Sequence, residues 1–212
     1  MFEEKNIKNW LCVFKKKINL DFDKLQLKKE DIWRVVCDLS DKQKKQLEEW
    51  TGLKCSGIVF DSNIDDWNTN TSEFNERIIG KKQLIFLIED EDGEKFGYYL
   101  NTKMIERYYW NETDNKSFEF NLQSNGRLQN PMKFEIKHLE WGGYMLFEKT
   151  SVGFISLGDI YLKKENKKNK SHYWHREENF NYHGIENALC RKTGLLSDDE
   201  FMPKRILIIQ ME

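Results

Sequence analysis

The sequence predicts an α+β chain: an antiparallel β-sandwich with peripheral helices, preceded by a helical N-terminal arm. Three observations carry this. Apolar residues recur at helical spacing over residues 1–52, and a strand-like period takes over from Cys55. The later strand-like runs are mostly joined by short turns, which favours antiparallel pairing. Too few helical patterns intervene for parallel crossovers.

In chain order, Ile7, Trp10, Leu11, Phe14 and Ile18 form the first apolar stripe, accompanied by Lys5, Lys8, Lys15, Lys16 and Lys17. Ile32, Val35, Val36 and Leu39 form a second. Ser40-Asp41-Lys42-Gln43 is a capping box, with a hydroxyl at the N-cap and an amide three residues on. The helix it opens runs through Leu47 and Trp50 to a stop at Gly52. Residues 1–46 are therefore read as a helical arm and residues 47–212 as the β domain; the arm packs on its own domain or pairs two chains, and as a basic amphipathic helix it can alternatively sit on a membrane surface or bind a partner groove. A homodimer would form through residues 1–50.

Residues 55–60 begin the strands. A polar loop, 61–69, follows. Thr71 or Ser72 can cap a helix through Phe74, Ile78 and Ile79, stopped by Gly80. Residues 83–88 and 95–100 are the arms of a hairpin, and Asp92-Gly93 suits a type I′ turn. Residues 117–122 (Ser-Phe-Glu-Phe-Asn-Leu) alternate strictly, which predicts one buried and one wet face. Asn125-Gly126 offers the next turn, and residues 133–137 alternate again. Residues 144–147 and 152–157 make a further strand pair, and 205–210 closes the chain as a buried strand.

With 212 residues the chain can bury a core without disulfides or metals. Its formal net charge of −2 gives no global basic field, so nucleic-acid binding would need a local patch. Cys12, Cys37, Cys55 and Cys190 are scattered without CxxC spacing and read as free thiols of a reducing compartment. The N-terminus carries no signal-peptide pattern, and no apolar run approaches membrane-spanning length. A cytoplasmic or nuclear location is expected.

The sequence contains no nucleophile elbow, Walker loop or dinucleotide fingerprint, and no cofactor or catalytic residue is assigned. Asp61-Ser62-Asn63-Ile64-Asp65 starts like a calcium loop but lacks the sixth-position glycine and twelfth-position glutamate, so it reads as a polar loop. His172, His175, His183 and Cys190 fit no familiar zinc spacing and read as packing residues. Asp90-Glu91-Asp92 reads as a solvated hairpin tip. The remaining candidate is a basic segment followed by aromatics: Lys163, Lys164, Lys167, Lys168 and Lys170, then Tyr173, Trp174 and Arg176. Lysines displace counterions from phosphates and aromatic rings stack on bases, so these eight residues are the expected DNA contacts if DNA is bound.

The order of the elements resembles a TLDc domain over roughly residues 47–212. The early matches are Gly57-Ile58-Val59-Phe60, the helix at 74–80, and Asp92-Gly93-Glu94-Lys95-Phe96-Gly97-Tyr98. The later ones are Gly142-Gly143-Tyr144, Phe154-Ile155-Ser156-Leu157-Gly158-Asp159, Asn187-Ala188-Leu189-Cys190, and Phe201 with the final strand. Residues 163–170 look inserted, and the ending Ile208-Ile209-Gln210-Met211-Glu212 departs from the aromatic-acidic ending of animal members. The resemblance implies a non-enzymatic intracellular protein of the oxidative-stress response that works through protein contacts, in several relatives with the vacuolar proton pump. The alternative is a DNA-binding transcriptional regulator of stress genes that uses the segment 163–176.

Overall fold

The computed structural model of the chain describes residues 38–106, 108–164, 170–190 and 199–212. The two apolar stripes of the expected helical arm lie, apart from Leu39, outside them, as do Cys12, Cys37, Lys167 and Lys168. The chain divides into two compact units, Met1–Glu49 and Trp50–Glu212, and both β-sheets belong to the second.

The first described helix, α1 (Asp41–Thr51), begins at the capping box. The Gln43 N–H donates to Ser40 Oγ at 3.2 Å, and the Ser40 N–H donates to Gln43 Oε1 at 3.0 Å. Gly52 ends it with φ +70°.

Strand β1 (Cys55–Asp61) follows, then a short helix, α2 (Phe74–Ile78). The N-cap of α2 is Glu73, whose side chain makes no capping bond; Ser72 Oγ instead accepts the Phe74 N–H at 3.2 Å. The N-cap thus falls one position after Ser72 and two after Thr71, the expected caps.

The remaining strands of the first sheet are β2 (Leu84–Asp90), β3 (Lys95–Leu100), β4 (Phe118–Gln123), β5 (Met132–Glu135) and the C-terminal β11 (Pro203–Met211). Six strands lie in the order β1-β11-β2-β3-β4-β5, all antiparallel. The last strand thus sits between the first two. The turn between β2 and β3 is not type I′, which needs positive φ at both central residues. Of Asp92-Gly93 only Gly93 is left-handed, at φ +78°. The Glu94 N–H instead bonds the Asp90 carboxylate at 2.8 Å.

The second sheet holds β6 (Tyr144–Leu146), β7 (Gly153–Leu157), β8 (Ile160–Lys163), β9 (Ser171–Tyr173) and β10 (Asp199–Phe201), in the order β10-β9-β8-β7-β6, again antiparallel. The sequence reading missed β8, β9 and β10. They are three or four residues long, and lysines border β8 and β9, so neither length nor periodicity marks them.

Both sheets feed one hydrophobic core. Phe60 of β1, Phe74 of α2 and Phe154 of β7 stack within 3.7–5.7 Å of one another. Burying each ring stabilises the fold by about 1.5–3 kcal/mol. Strand β4 corrects the expectation of a wet face. Phe118 and Phe120 pack against the Trp50 ring, at 6.2 and 6.0 Å. Glu119 and Asn121, on the other face, are also fully buried.

Candidate functional site

Two groupings of polar and aromatic residues emerge, and Asp159 joins them. The first is buried. Glu119 projects from β4, and Asp159 sits in the Gly158-Asp159 turn between β7 and β8, so the pair ties one sheet to the other. Glu119 Oε1 accepts the Asp159 N–H at 2.8 Å. The Tyr182 hydroxyl lies 2.5 Å from Glu119 Oε2 and 3.1 Å from Asp159 Oδ2. Asp159 also accepts Asn179 Nδ2–H at 2.7 Å and the Arg176 N–H at 2.9 Å. Its backbone carbonyl accepts the Trp174 N–H at 2.8 Å.

A tyrosine has one hydroxyl proton, and here it faces two carboxylate oxygens. A proton retained on Glu119 completes the network. Burial, then repulsion from Asp159, pushes Glu119 far above the usual carboxylate range. Burial pushes Asp159 up to about 6, against the Asn179, Arg176 and Tyr182 hydrogen bonds. Burial also raises Tyr182, with help from both acids. The two carboxyls titrate as a pair. Gly158 is required at the turn: its φ is +54°, and a Cβ there would lie 2.5 Å from Phe180 and 2.7 Å from Glu119 Oε1. His175 stacks on Tyr182 at 4.4 Å, with Nε2 buried and lacking a hydrogen-bond partner. Sequence reasoning missed this network because an alternating Phe-Glu-Phe-Asn strand assigns its acid to water. The pairing of Glu119 with Asp159 spans 40 residues and leaves no local signal.

The second grouping lies on the outer side of β8 and β9. Register pairs Ile160 with Tyr173 and Tyr161 with His172. Ile160, Leu162 and Tyr173 therefore point into the core, while Tyr161, Lys163, His172 and Trp174 line the other face. The Tyr161 ring lies near-parallel to His172 (6.1 Å, 10°) and to Trp174 (6.1 Å, 29°). Arg176 covers Trp174 at 5.2 Å, and Lys163 Nζ stands 5.9 Å over Tyr161 and 2.9 Å from His172 Nε2. Lys170 pairs with Glu200 at 2.9 Å and holds that acid below the usual range.

Of the eight residues expected to touch DNA, Lys163, Lys170, Trp174 and Arg176 share this surface. Two are corrected. Lys164 is 3% exposed, and its ammonium donates to the carbonyls of Glu148, Lys149 and Ser151 at 2.6–2.9 Å. Burial lowers its pKa, and it stabilises a loop instead of facing a phosphate. Tyr173 is 1% exposed and belongs to the core. Tyr161 was missed because it lies ahead of the lysine run.

The other candidates are absorbed by internal contacts. Asp61 makes a buried pair with Arg205 at 2.6 Å, and Asp65 accepts from Arg77 at 2.9 Å. Asp90 is not solvated as expected. It is 4% exposed, and burial pushes it up to about 6. Among the described residues, no three His, Cys, Asp or Glu side chains converge as a metal site, and no helix is long and apolar enough to cross a membrane.

A second surface feature is apolar. Ile105, Tyr108, Tyr109, Leu139 and Trp141 are exposed on two adjoining loops, with Tyr109 at 55% and Trp141 at 52%. The Trp110 indole donates to the Glu140 carbonyl at 2.5 Å, and Asn111 bridges to Tyr144, which fixes the loops side by side. A Cβ on Gly143 would lie 2.0 Å from the Asn111 carbonyl oxygen, so only glycine permits this approach. No protein-family model and no curated protein matches the chain.

Proposed function

We propose that this chain is a TLDc-like protein of the oxidative-stress response that acts without catalysis of its own, inside the cell, by binding a protein partner. The two sheets serve as a sandwich scaffold, and the loops carry recognition. The observation that carries this reading is the paired-loop surface of Ile105, Tyr108, Tyr109, Leu139 and Trp141. Tyrosine and tryptophan dominate binding hot spots because they offer large, stiff, amphipathic contact area. The buried acids support it too, since they are engaged in holding the sheets together. The vacuolar proton pump is the partner that the resemblance alone suggests, and residues 1–50 would set the oligomeric state. The test is an affinity pull-down with the purified chain and with Tyr109→Ser/Trp141→Ser. The reading expects a partner retained by the first and lost by the second; equal capture by both would defeat it.

A second reading, a DNA-binding regulator with a nuclear role, is favoured by the aromatic and cationic face of β8 and β9. Its support is the grouping of Lys163, Lys170, Trp174 and Arg176 with Tyr161 and His172. Its test is salt-dependent binding to nucleic acid.

A further inference from the structure

We infer that the outer face of β8 and β9 is a stacking surface for single-stranded nucleic acid; the inference rests on the second reading above and narrows its ligand. The face is built, not incidental. Gly153 of β7 lacks the side chain that would fill it: a Cβ there would lie 2.7 Å from the Phe147 ring and 2.8 Å from the Tyr161 hydroxyl. Phe147 and Tyr161 can therefore lie together over the strand, 5.3 Å apart and edge to face. Tyr161 continues into Trp174 at 6.1 Å, and the Arg176 guanidinium lies over the Trp174 ring and presents its own plane outward of it. The row is anchored from below. Asp159 takes the backbone N–H groups of both Trp174 and Arg176, through its carbonyl and its carboxylate.

This pattern suits bases and phosphates at once. Rings and a guanidinium plane offer faces for unpaired bases, worth about 1–3 kcal/mol per base. Lys163 Nζ stands over the Tyr161 ring and supplies a cation for a phosphate of the strand stacked there. A duplex is a poor fit. Its bases are stacked on one another, and the major groove, roughly 12 Å wide, admits a helix or a two-stranded ribbon. Five strands spaced about 4.8 Å apart span roughly 19 Å, and Tyr161 on β8 and Trp174 just past β9 lie between the edge strands β6 and β10.

The experiment is fluorescence anisotropy with the full chain and labelled 20-mers of DNA and RNA, single-stranded and as duplexes of the same sequence, across a salt series. Heparin serves as a polyanion without bases. Tyr161→Leu and Trp174→Leu keep an apolar side chain and remove the ring, and thermal melting checks that each variant is folded. Lys163→Gln tests the phosphate contact. The inference expects a single strand, DNA or RNA, to bind more tightly than its duplex. Each ring variant weakens that binding roughly ten-fold while remaining folded at the assay temperature. Lys163→Gln reduces the salt slope by about 0.7. Equal or tighter binding of the duplex, with folded ring variants unaffected, would overturn the stacking inference and leave nucleic-acid binding standing. Binding that heparin matches, with folded ring variants unaffected, would also overturn it. No binding of any strand at low salt would end both.

Discussion

Replacing Glu119 with glutamine should change how stability depends on pH, and the structure fixes the sign. Glu119 and Asp159 are buried, and both are shifted upward from the ordinary carboxylate range. The folded state therefore holds protons that the unfolded chain releases. Stability from this pair is full below the ordinary range and is lost as pH rises through the folded values. Because the two carboxyls titrate as a pair, the loss belongs to the pair and begins as pH rises out of the ordinary carboxylate range. Glu119 is shifted further, so its loss continues above pH 6, at up to about 1.4 kcal/mol per pH unit. Glutamine mimics the protonated acid. Its Oε1 still accepts the Asp159 N–H, its amide can donate to the Tyr182 oxygen, and the Tyr182 hydroxyl can turn to Asp159 Oδ2. Urea unfolding at pH 5, 6, 7 and 8 provides the assay. Wild type and Glu119→Gln should have nearly equal stability at pH 5, and the variant should be the more stable at pH 8 by about 1–3 kcal/mol. Parallel profiles, or a variant that weakens as pH rises relative to wild type, would refute a proton held on Glu119.

Three further substitutions test the scaffold. Arg205→Ala leaves the buried Asp61 carboxylate without its guanidinium and should cost about 3–5 kcal/mol in urea unfolding. Gly97→Ala places a Cβ 1.8 Å from the Phe86 carbonyl oxygen in the middle of the β2–β3 pair; a loss above about 3 kcal/mol, or no folded protein, is expected by thermal melting. Lys164→Met removes the donor shared by three carbonyls and should lower stability by about 2 kcal/mol, while leaving the salt slope of any nucleic-acid binding unchanged.

Much of the fold is legible in the sequence where local chemistry is sufficient. The capping box at Ser40 and Gln43 forms as read, and the arms of the first hairpin are nearly those expected. The final strand is found, but its place between β1 and β2 is a long-range choice that no local pattern records. Strand β4 marks the limit most clearly. Its alternation correctly separates Phe118 and Phe120 from Glu119 and Asn121, but period-two patterning says which residues share a face, not what covers it. Here the polar face is covered by Asp159, in a turn of the other sheet, and by the segment after β9, and Tyr182, Asp159 and the Leu189 carbonyl supply its hydrogen bonds. The same limit applies to the basic segment. Its lysines look alike in sequence, yet strand alternation and a cage of carbonyls separate Lys163 on the surface from Lys164 within.

The network and the outer face also constrain one another. Asp159 bonds Glu119 across the sheets through its N–H, and through its other polar atoms holds Trp174 and Arg176 in place. A change at Glu119 is therefore a remote probe of the stacking row, which it does not touch.

The most direct measurement of the proposed role is survival under peroxide of cells lacking this chain, complemented with wild type or with Tyr109→Ser/Trp141→Ser at matched abundance. The account predicts that loss lowers survival, that wild type restores it, and that the double variant, folded but stripped of its exposed rings, does not. Unchanged survival on deletion, or full rescue by the double variant, would contradict it.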